Sequence, residues 1–136
     1  MACLDTTVLV DILREARRKV EGPAHAKFKE LSSRNETVVI TRINEAEFLA
    51  GGYDAGIPAI SLPARERFLS EFPVLELDAG AARQYAIWDS TLAARGETVG
   101  AFDLMIASIA FSNGHSVVTR NRKEFERIPS LSVEPY

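Results

Sequence analysis

"MACLDTTVLVDIL", Met1 to Leu13, changes its hydrophobic period once, at Asp5. Met1 to Leu4 is a short apolar run, which suits a buried strand. Val8, Leu9, Ile12 and Leu13 then recur at helical spacing, with Thr6 or Thr7 placed to cap the start. A strand that ends in Asp and passes directly into a helix is the opening of an α/β unit. The rest of the chain repeats the alternation. "PAHAKFKELSSRN" (23–35) suits a helix after the Gly22-Pro23 break. "TVVIT" (37–41) is a β-branched strand. "RINEAEFLAGGYDAGIP" (42–58) begins as a helix and ends near Gly51, Gly52 and Gly56. "LPARERFLSEF" (62–72) is a helix with Pro63 near its start.

Val74 to Asp78 reads as a third strand. "AGAARQYAIWDSTLAARG" (79–96) is a long helix closed by Gly96, and "GAFDLMIASIAFSNG" (100–114) is another. "SVVTRN" (116–121) is a fourth strand, and Phe125 lies in a short turn or helix after it. "LSVEPY" (131–136) suits an edge strand, where Pro135 is tolerated. Alternating strands and helices predict a mainly parallel sheet of four to five strands in a three-layer α/β/α arrangement. With no internal repeat, linker or low-complexity tract, residues 1–136 are assigned to one domain.

Composition narrows the function classes. The chain has 136 residues, 46% apolar and 26% charged, with net charge -3 and a pI near 5.4. That balance disfavours nucleic-acid binding by the whole surface but leaves room for a local basic rim. The single cysteine, Cys3, excludes an intrachain disulfide and a cysteine zinc site, and reads as a buried, inert thiol. No signal-peptide pattern and no bilayer-length apolar run are present, so a cytoplasmic location is expected.

The informative anomaly is Asp103 inside "AFDLMIASIAF" (101–111). A buried carboxylate must be neutralised, paired or bound to a cation. In parallel sheets, sites collect beyond the C-terminal strand ends. Asp5, Thr41 and Thr119 to Asn121 fall there, and Glu47 lies about two turns into the helix after the second strand. Asp5, Glu47 and Asp103 can converge on one pocket, where oxygen donors select Mg²⁺ or Mn²⁺ and metal-assisted phosphoryl chemistry becomes available. Each acid also has an ordinary reading alone: Asp5 and Asp103 as helix-start residues, Glu47 as a solvated helix residue. Residue pattern alone leaves the two readings about evenly matched.

Four segments together resemble the PIN-domain ribonucleases and, within them, the VapC toxins of toxin–antitoxin pairs. "LDTTVLVDIL" is similar to the family's opening strand, acid and helix. "NEAEFLAG" is similar to its "T-x-A-E-L-x-x-G" element, which places the acid at Glu47 rather than Glu45. "GAFDLMIASIAFSNG" resembles its "D-x-x-I-A-x-x-A" helix, and "VVTRNRKEFERIPSL" its closing strand and "N-x-x-x-F-x-x-I/V-P-G-L" tail. The resemblance spans essentially the whole chain. It implies a PIN-like fold and a Mg²⁺- or Mn²⁺-dependent endoribonuclease in which Asp5, Glu47 and Asp103 hold the metal. Asn121, standing where many relatives carry a fourth acid, would assist a second ion or a water. Thr7 would support Asp5 or a water ligand, with capping as its other role.

A metal-activated water would attack an RNA phosphodiester in line. The resemblance also implies a homodimer neutralised by a small antitoxin. Arg120, Arg122 and Arg42 are candidates to guide RNA, whereas Arg14, Arg17, Arg18 and Lys19 are assigned to the dipole of the first helix. Phe68, Leu69, Phe72, Tyr85 and Trp88 could line a partner groove, but at helical spacing most are assigned to the core. Three departures stand out: Asn44 replaces a Thr or Ser, Asn121 replaces an acid, and Ser130 replaces a Gly.

Competing readings remain at this level. A haloacid dehalogenase-type phosphatase would use Asp5 as nucleophile, but Thr7 stands where its second Asp belongs. A non-catalytic PIN module binding RNA or protein would not need all three acids. A receiver-type signalling domain would need a late Lys that Arg120 and Asn121 do not supply.

Overall fold

The computed structural model describes residues 1–53 and 60–136. The expected break at Gly56 lies outside the described residues. The strands are β1 (Ala2–Leu4), β2 (Val38–Thr41), β3 (Val74–Leu75), β4 (Ser116–Val118) and β5 (Val133–Glu134). The helices are α1 (Thr6–Arg18), α2 (Pro23–Ser33), α3 (Arg42–Ala50), α4 (Leu62–Leu69), α5 (Ala79–Ala94), α6 (Ala101–Ser112) and α7 (Arg122–Phe125), with a 3₁₀ turn at Gly51–Tyr53. The described sheet is entirely parallel, in the order β3-β2-β1-β4-β5. This is the parallel α/β arrangement expected from the sequence.

Strand pleating divides the core. Ala2 and Leu4 point to one face and pack with Val8, Leu9, Leu31, Phe48 and Leu69 from α1, α2, α3 and α4. Cys3 points to the other and packs with Trp88, Leu92, Ile106, Val117 and Phe125. The alternation follows from the two-residue period of a strand. Burial and the nearby Asp5 charge raise the Cys3 thiol pKa, so the thiol is kept neutral. Among the apolar candidates for a groove, Leu69, Phe72 and Trp88 are buried, and Phe68 and Tyr85 pack against the two cores.

Three boundaries differ from expectation. β3 is two residues long, and Asp78 instead caps α5, its carboxylate accepting from Ala81 N at 2.9 Å. β4 stops at Val118. Asp5, not Thr6 or Thr7, occupies the cap position of α1, and it does so through its carbonyl, which accepts from Val8 N at 3.0 Å. Its carboxylate makes no capping bond.

Ser130 has φ of +65°. A side chain in that left-handed region costs roughly 1–2 kcal/mol, partly offset by glycine's extra unfolded-state freedom. Ser130→Gly is therefore expected to stabilise the chain by about 0.5–1 kcal/mol. A higher urea midpoint with an unchanged m-value would show it; a lower midpoint would mean that the exposed Ser130 side chain makes a compensating interaction.

Candidate active site

β1 lies between β2, which precedes β3 in the chain, and β4, which begins the other half of the sheet. The connections therefore diverge at the C-terminal ends of β1 and β4. Such a switch point opens a crevice that loops cannot fill. Asp5 follows β1, Thr119 follows β4, and Asp5 N donates to Val118 O at 2.9 Å.

A cavity of about 260 Å³ opens there, lined by Asp5, Thr6, Thr7, Val10, Arg14, Glu47, Asp103, Arg120 and Asn121. Asp5 is 3% exposed. Its Oδ2 accepts from Thr7 Oγ1 at 3.0 Å and from Thr119 Oγ1 at 2.9 Å. Two hydroxyls on one oxygen fix the plane of the carboxylate. Thr119 Oγ1 also accepts from Asn121 N at 2.9 Å, which ties the loop after β4 to the same acid.

Asp103 sits in the first turn of α6. Asn121 Nδ2 reaches its Oδ2 at 3.4 Å. Burial, then the charges of Asp5, Glu47 and Glu124, push the Asp103 pKa up to about 6. Glu47, half-buried on α3, accepts from Thr6 Oγ1 at 2.8 Å. Its pKa is also raised, chiefly by burial and then by Asp5, against the lowering effect of the Thr6 bond. Mutual repulsion in a partly dry cavity is what a bound cation relieves. As they stand, no three acidic, histidine or cysteine side chains among the described residues are drawn together as a metal-holding group. The donors present are all oxygen, which fits a hard divalent ion.

The sequence-predicted residues divide here. Asp5, Glu47, Asp103, Asn121, Thr7 and Arg120 line one cavity. Arg42 and Arg122 are absent from that lining. Arg42 is clamped by Glu45 and Glu76, and Arg122 pairs with Glu126 at 2.7 Å. Thr41, at the end of β2, turns to the cap of α3 rather than to the acids. Three contributors escaped sequence reading. Arg14 lines the cavity, Thr6 holds Glu47, and buried Asn44 donates from Nδ2 to Thr6 Oγ1 at 3.1 Å.

A family model described as the PIN domain matches residues 2–131. The chain belongs to the PIN-domain family. Its relatives within that family include VapC ribonucleases. The tRNA(fMet)-specific endonuclease VapC of Shigella flexneri is 37% identical over 97 residues, covering 71% of this chain and 74% of that one. Ribonuclease VapC2 of Rickettsia felis is 32% identical over 105 residues, covering 77% and 78%. The crystal structure of VapBC2 from Rickettsia felis, bound to a DNA fragment from its promoter, superposes with a TM-score of 0.79 at 28% identity. It covers 99% of this chain and 98% of that one. The acid cavity lies at the carboxyl ends of β1 and β4 in the parallel sheet.

Proposed function

We propose that this PIN-domain chain is a divalent-metal-dependent endoribonuclease and the toxin of a toxin–antitoxin pair, with Asp5, Glu47 and Asp103 as the metal-holding acids. The observation that carries the reading is the cavity at the β1/β4 switch point, lined by three carboxylates, one just after β1, one on α3 and one on α6. Asp103 and Glu47 both have raised pKa values there. Mg²⁺ or Mn²⁺ fits the all-oxygen donor set. Such an ion would supply Lewis acidity at the phosphate and make a water acidic enough to attack.

The chain's own groups divide the remaining work. Thr7 and Thr119 hold Asp5 by one oxygen and leave Oδ1 as the donor available to a cation. Thr6 holds Glu47. Asn121, as a neutral amide beside Asp103, orients that carboxylate without adding charge. No nucleophilic Ser or Cys lines the cavity among the described residues, which agrees with direct attack by water.

RNA is the substrate class. The named substrate of the Shigella relative makes initiator tRNA the first molecule to test. The solved VapBC complexes among the structural relatives support an antitoxin as partner. A homodimer and a cytoplasmic location complete the reading. No described helix is long and apolar enough to cross a membrane.

Cleavage of a mixed RNA pool containing tRNA tests this directly. Cutting is expected in Mg²⁺ and in Mn²⁺, and none in EDTA. Thermal melts should rise with added Mn²⁺, because a ligand that binds only the folded state stabilises it. Cutting that persists in EDTA would remove the metal from the reading, and an acid-stable phosphoryl group on Asp5 would replace the nuclease with a phosphatase.

A further inference from the structure

Two arginines, Arg14 and Arg120, share the lining of the acid cavity, and both meet one carboxylate. Asp11, on α1, is 15% exposed at its side chain. Its Oδ2 lies 2.9 Å from Arg120 Nη1 and its Oδ1 3.2 Å from the same nitrogen. Arg14 Nη1, one turn along the helix, lies 3.8 Å from Oδ1. Tyr136 Oη donates to Oδ2 at 2.7 Å, which fixes Asp11 from the side of the chain's last residue. Burial and that bond to Asp11 raise the Tyr136 pKa, so the phenol stays a donor.

Arg120 is also fixed at its backbone. Its N–H donates to Thr7 Oγ1 at 3.3 Å, the same hydroxyl that donates to Asp5. The backbone of Arg120 is thus tied to Asp5 through two bonds. Both arginines line the acid cavity, and their side chains are 57% and 56% exposed.

Charge explains why this is more than a surface ion pair. Two guanidinium groups held beside one another repel, and Asp11 compensates only one of the two. The Asp11–Arg14–Arg120 group keeps one net positive charge, in the lining of a cavity that also holds three carboxylates. A phosphodiester strand needs both: a cation-loaded acidic group for the phosphate undergoing attack, and a guanidinium group for its oxygens or the neighbouring phosphate.

We propose that Arg14 and Arg120 form a phosphate clamp for the RNA backbone at the active site, and that Asp11 is the positioning residue that sets both. This rests on the ribonuclease reading above and names the residues of the site that grip the substrate. Arg14 therefore serves the substrate rather than the helix dipole.

The first experiment separates binding from cutting. The full chain carrying Asp103→Asn is held in EDTA with a fluorescein-labelled, mixed-sequence single-stranded RNA, and anisotropy is followed across salt. Arg14→Gln and Arg120→Gln are each expected to weaken binding at low salt by about fivefold to tenfold. Each should also flatten the plot of log affinity against log salt by about 0.7, the value for one lost phosphate contact on a single strand. An unchanged melting temperature checks that each variant is folded, and Arg14→Lys should keep the slope while losing part of the affinity.

The second experiment uses the chain with Asp103 intact and the single change Asp11→Asn. RNA binding and KM should hold or improve, because a negative charge has gone, while kcat falls about tenfold as the arginines lose their reference point. Wild-type salt slopes in both arginine variants would overturn the clamp. A wild-type kcat in Asp11→Asn would overturn the positioning role and leave Asp11 a simple counter-charge. Should the intact chain cut no RNA while the slopes change as expected, the ribonuclease reading fails and the clamp stands as an RNA-binding pair.

Discussion

Asp103→Asn is expected to cut cleavage by about a thousandfold and, in the same protein freed of metal, to raise the melting temperature. The two effects share one cause. Asp103 lies in a half-dry cavity facing Asp5 and Glu47, and its pKa is pushed from 3.8 to about 6. A carboxyl whose folded pKa exceeds its unfolded value binds protons more readily in the native state. Stability of the metal-free chain therefore declines as pH rises from near 3.8 through about 6, and the loss is complete above that window. Asparagine carries no charge and removes the penalty, while keeping the shape and the contact to Asn121.

At pH 7–8 in EDTA the variant should melt a few degrees higher than wild type, and the two should converge near pH 4. Added Mn²⁺ should reverse the order, since wild type gains binding energy that the variant lacks. Cation affinity of wild type should weaken as pH falls through about 6, because binding must displace the Asp103 proton. Cleavage should fall by about a thousandfold, the scale on which loss of one preorganised charge-stabilising group registers. A variant that cuts normally, or melts lower than wild type in EDTA at pH 8, would falsify the assignment.

How much of this was legible in the sequence depends on whether local pattern or distant partners decided each feature. β1, Asp5 and α1 were readable because a continuous apolar run gives way to helical spacing at one residue. The acids were readable as anomalies, Asp103 within an apolar helix and Asp5 at a strand end, and the PIN resemblance singled out Glu47 from Glu45. The extents of β3 and β4 were not readable. β3 is held by two parallel pairings to Ile40 and Thr41, and nothing in "VLELD" tells Leu75 from Glu76. A strand that short exists because its neighbour offers a ladder, not because of its own propensity.

The arginine pair was hidden for a related reason. Arg14 is one of four cations near the end of α1, and the dipole argument treats them alike. Only the loop after β4, returning beside Asp11, distinguishes Arg14 from the rest. Arg42 shows the opposite case. Its place after β2 suggested the site, but Glu45 and Glu76 claim its guanidinium.

Asn44→Ala should damage both fold and catalysis, and separating the two effects explains why this chain departs from the Thr or Ser of the resembled pattern. Asn44 is fully buried. Its Oδ1 accepts from Thr41 N at 2.8 Å and from Thr41 Oγ1 at 2.7 Å, closing the capping box of α3. Alanine leaves that N–H and hydroxyl buried without this acceptor. At about 1–3 kcal/mol for each of the two unsatisfied groups, the expected loss is about 2–6 kcal/mol. For a chain of this length that lowers the melting temperature by about 7–20 °C.

The catalytic effect runs through Thr6. A hydroxyl has one proton to give. Asn44 Nδ2 donates into Thr6 Oγ1 at 3.1 Å, so the Thr6 proton is directed to Glu47 Oε1 at 2.8 Å. Without the amide, Thr6 is free to turn, and Glu47 loses both its orientation and the bond that holds its pKa down. Cleavage at limiting Mn²⁺ should fall by about tenfold to a hundredfold, as when a metal ligand loses its supporting hydrogen bond. Thr6→Val separates the effects, because it deletes the hydroxyl while leaving the α3 cap intact. It should cost a similar factor in cleavage and much less in melting temperature. If Asn44→Ala unfolds more easily but both variants cleave like wild type at every Mn²⁺ concentration, Asn44 serves the helix alone and Glu47 needs no relay.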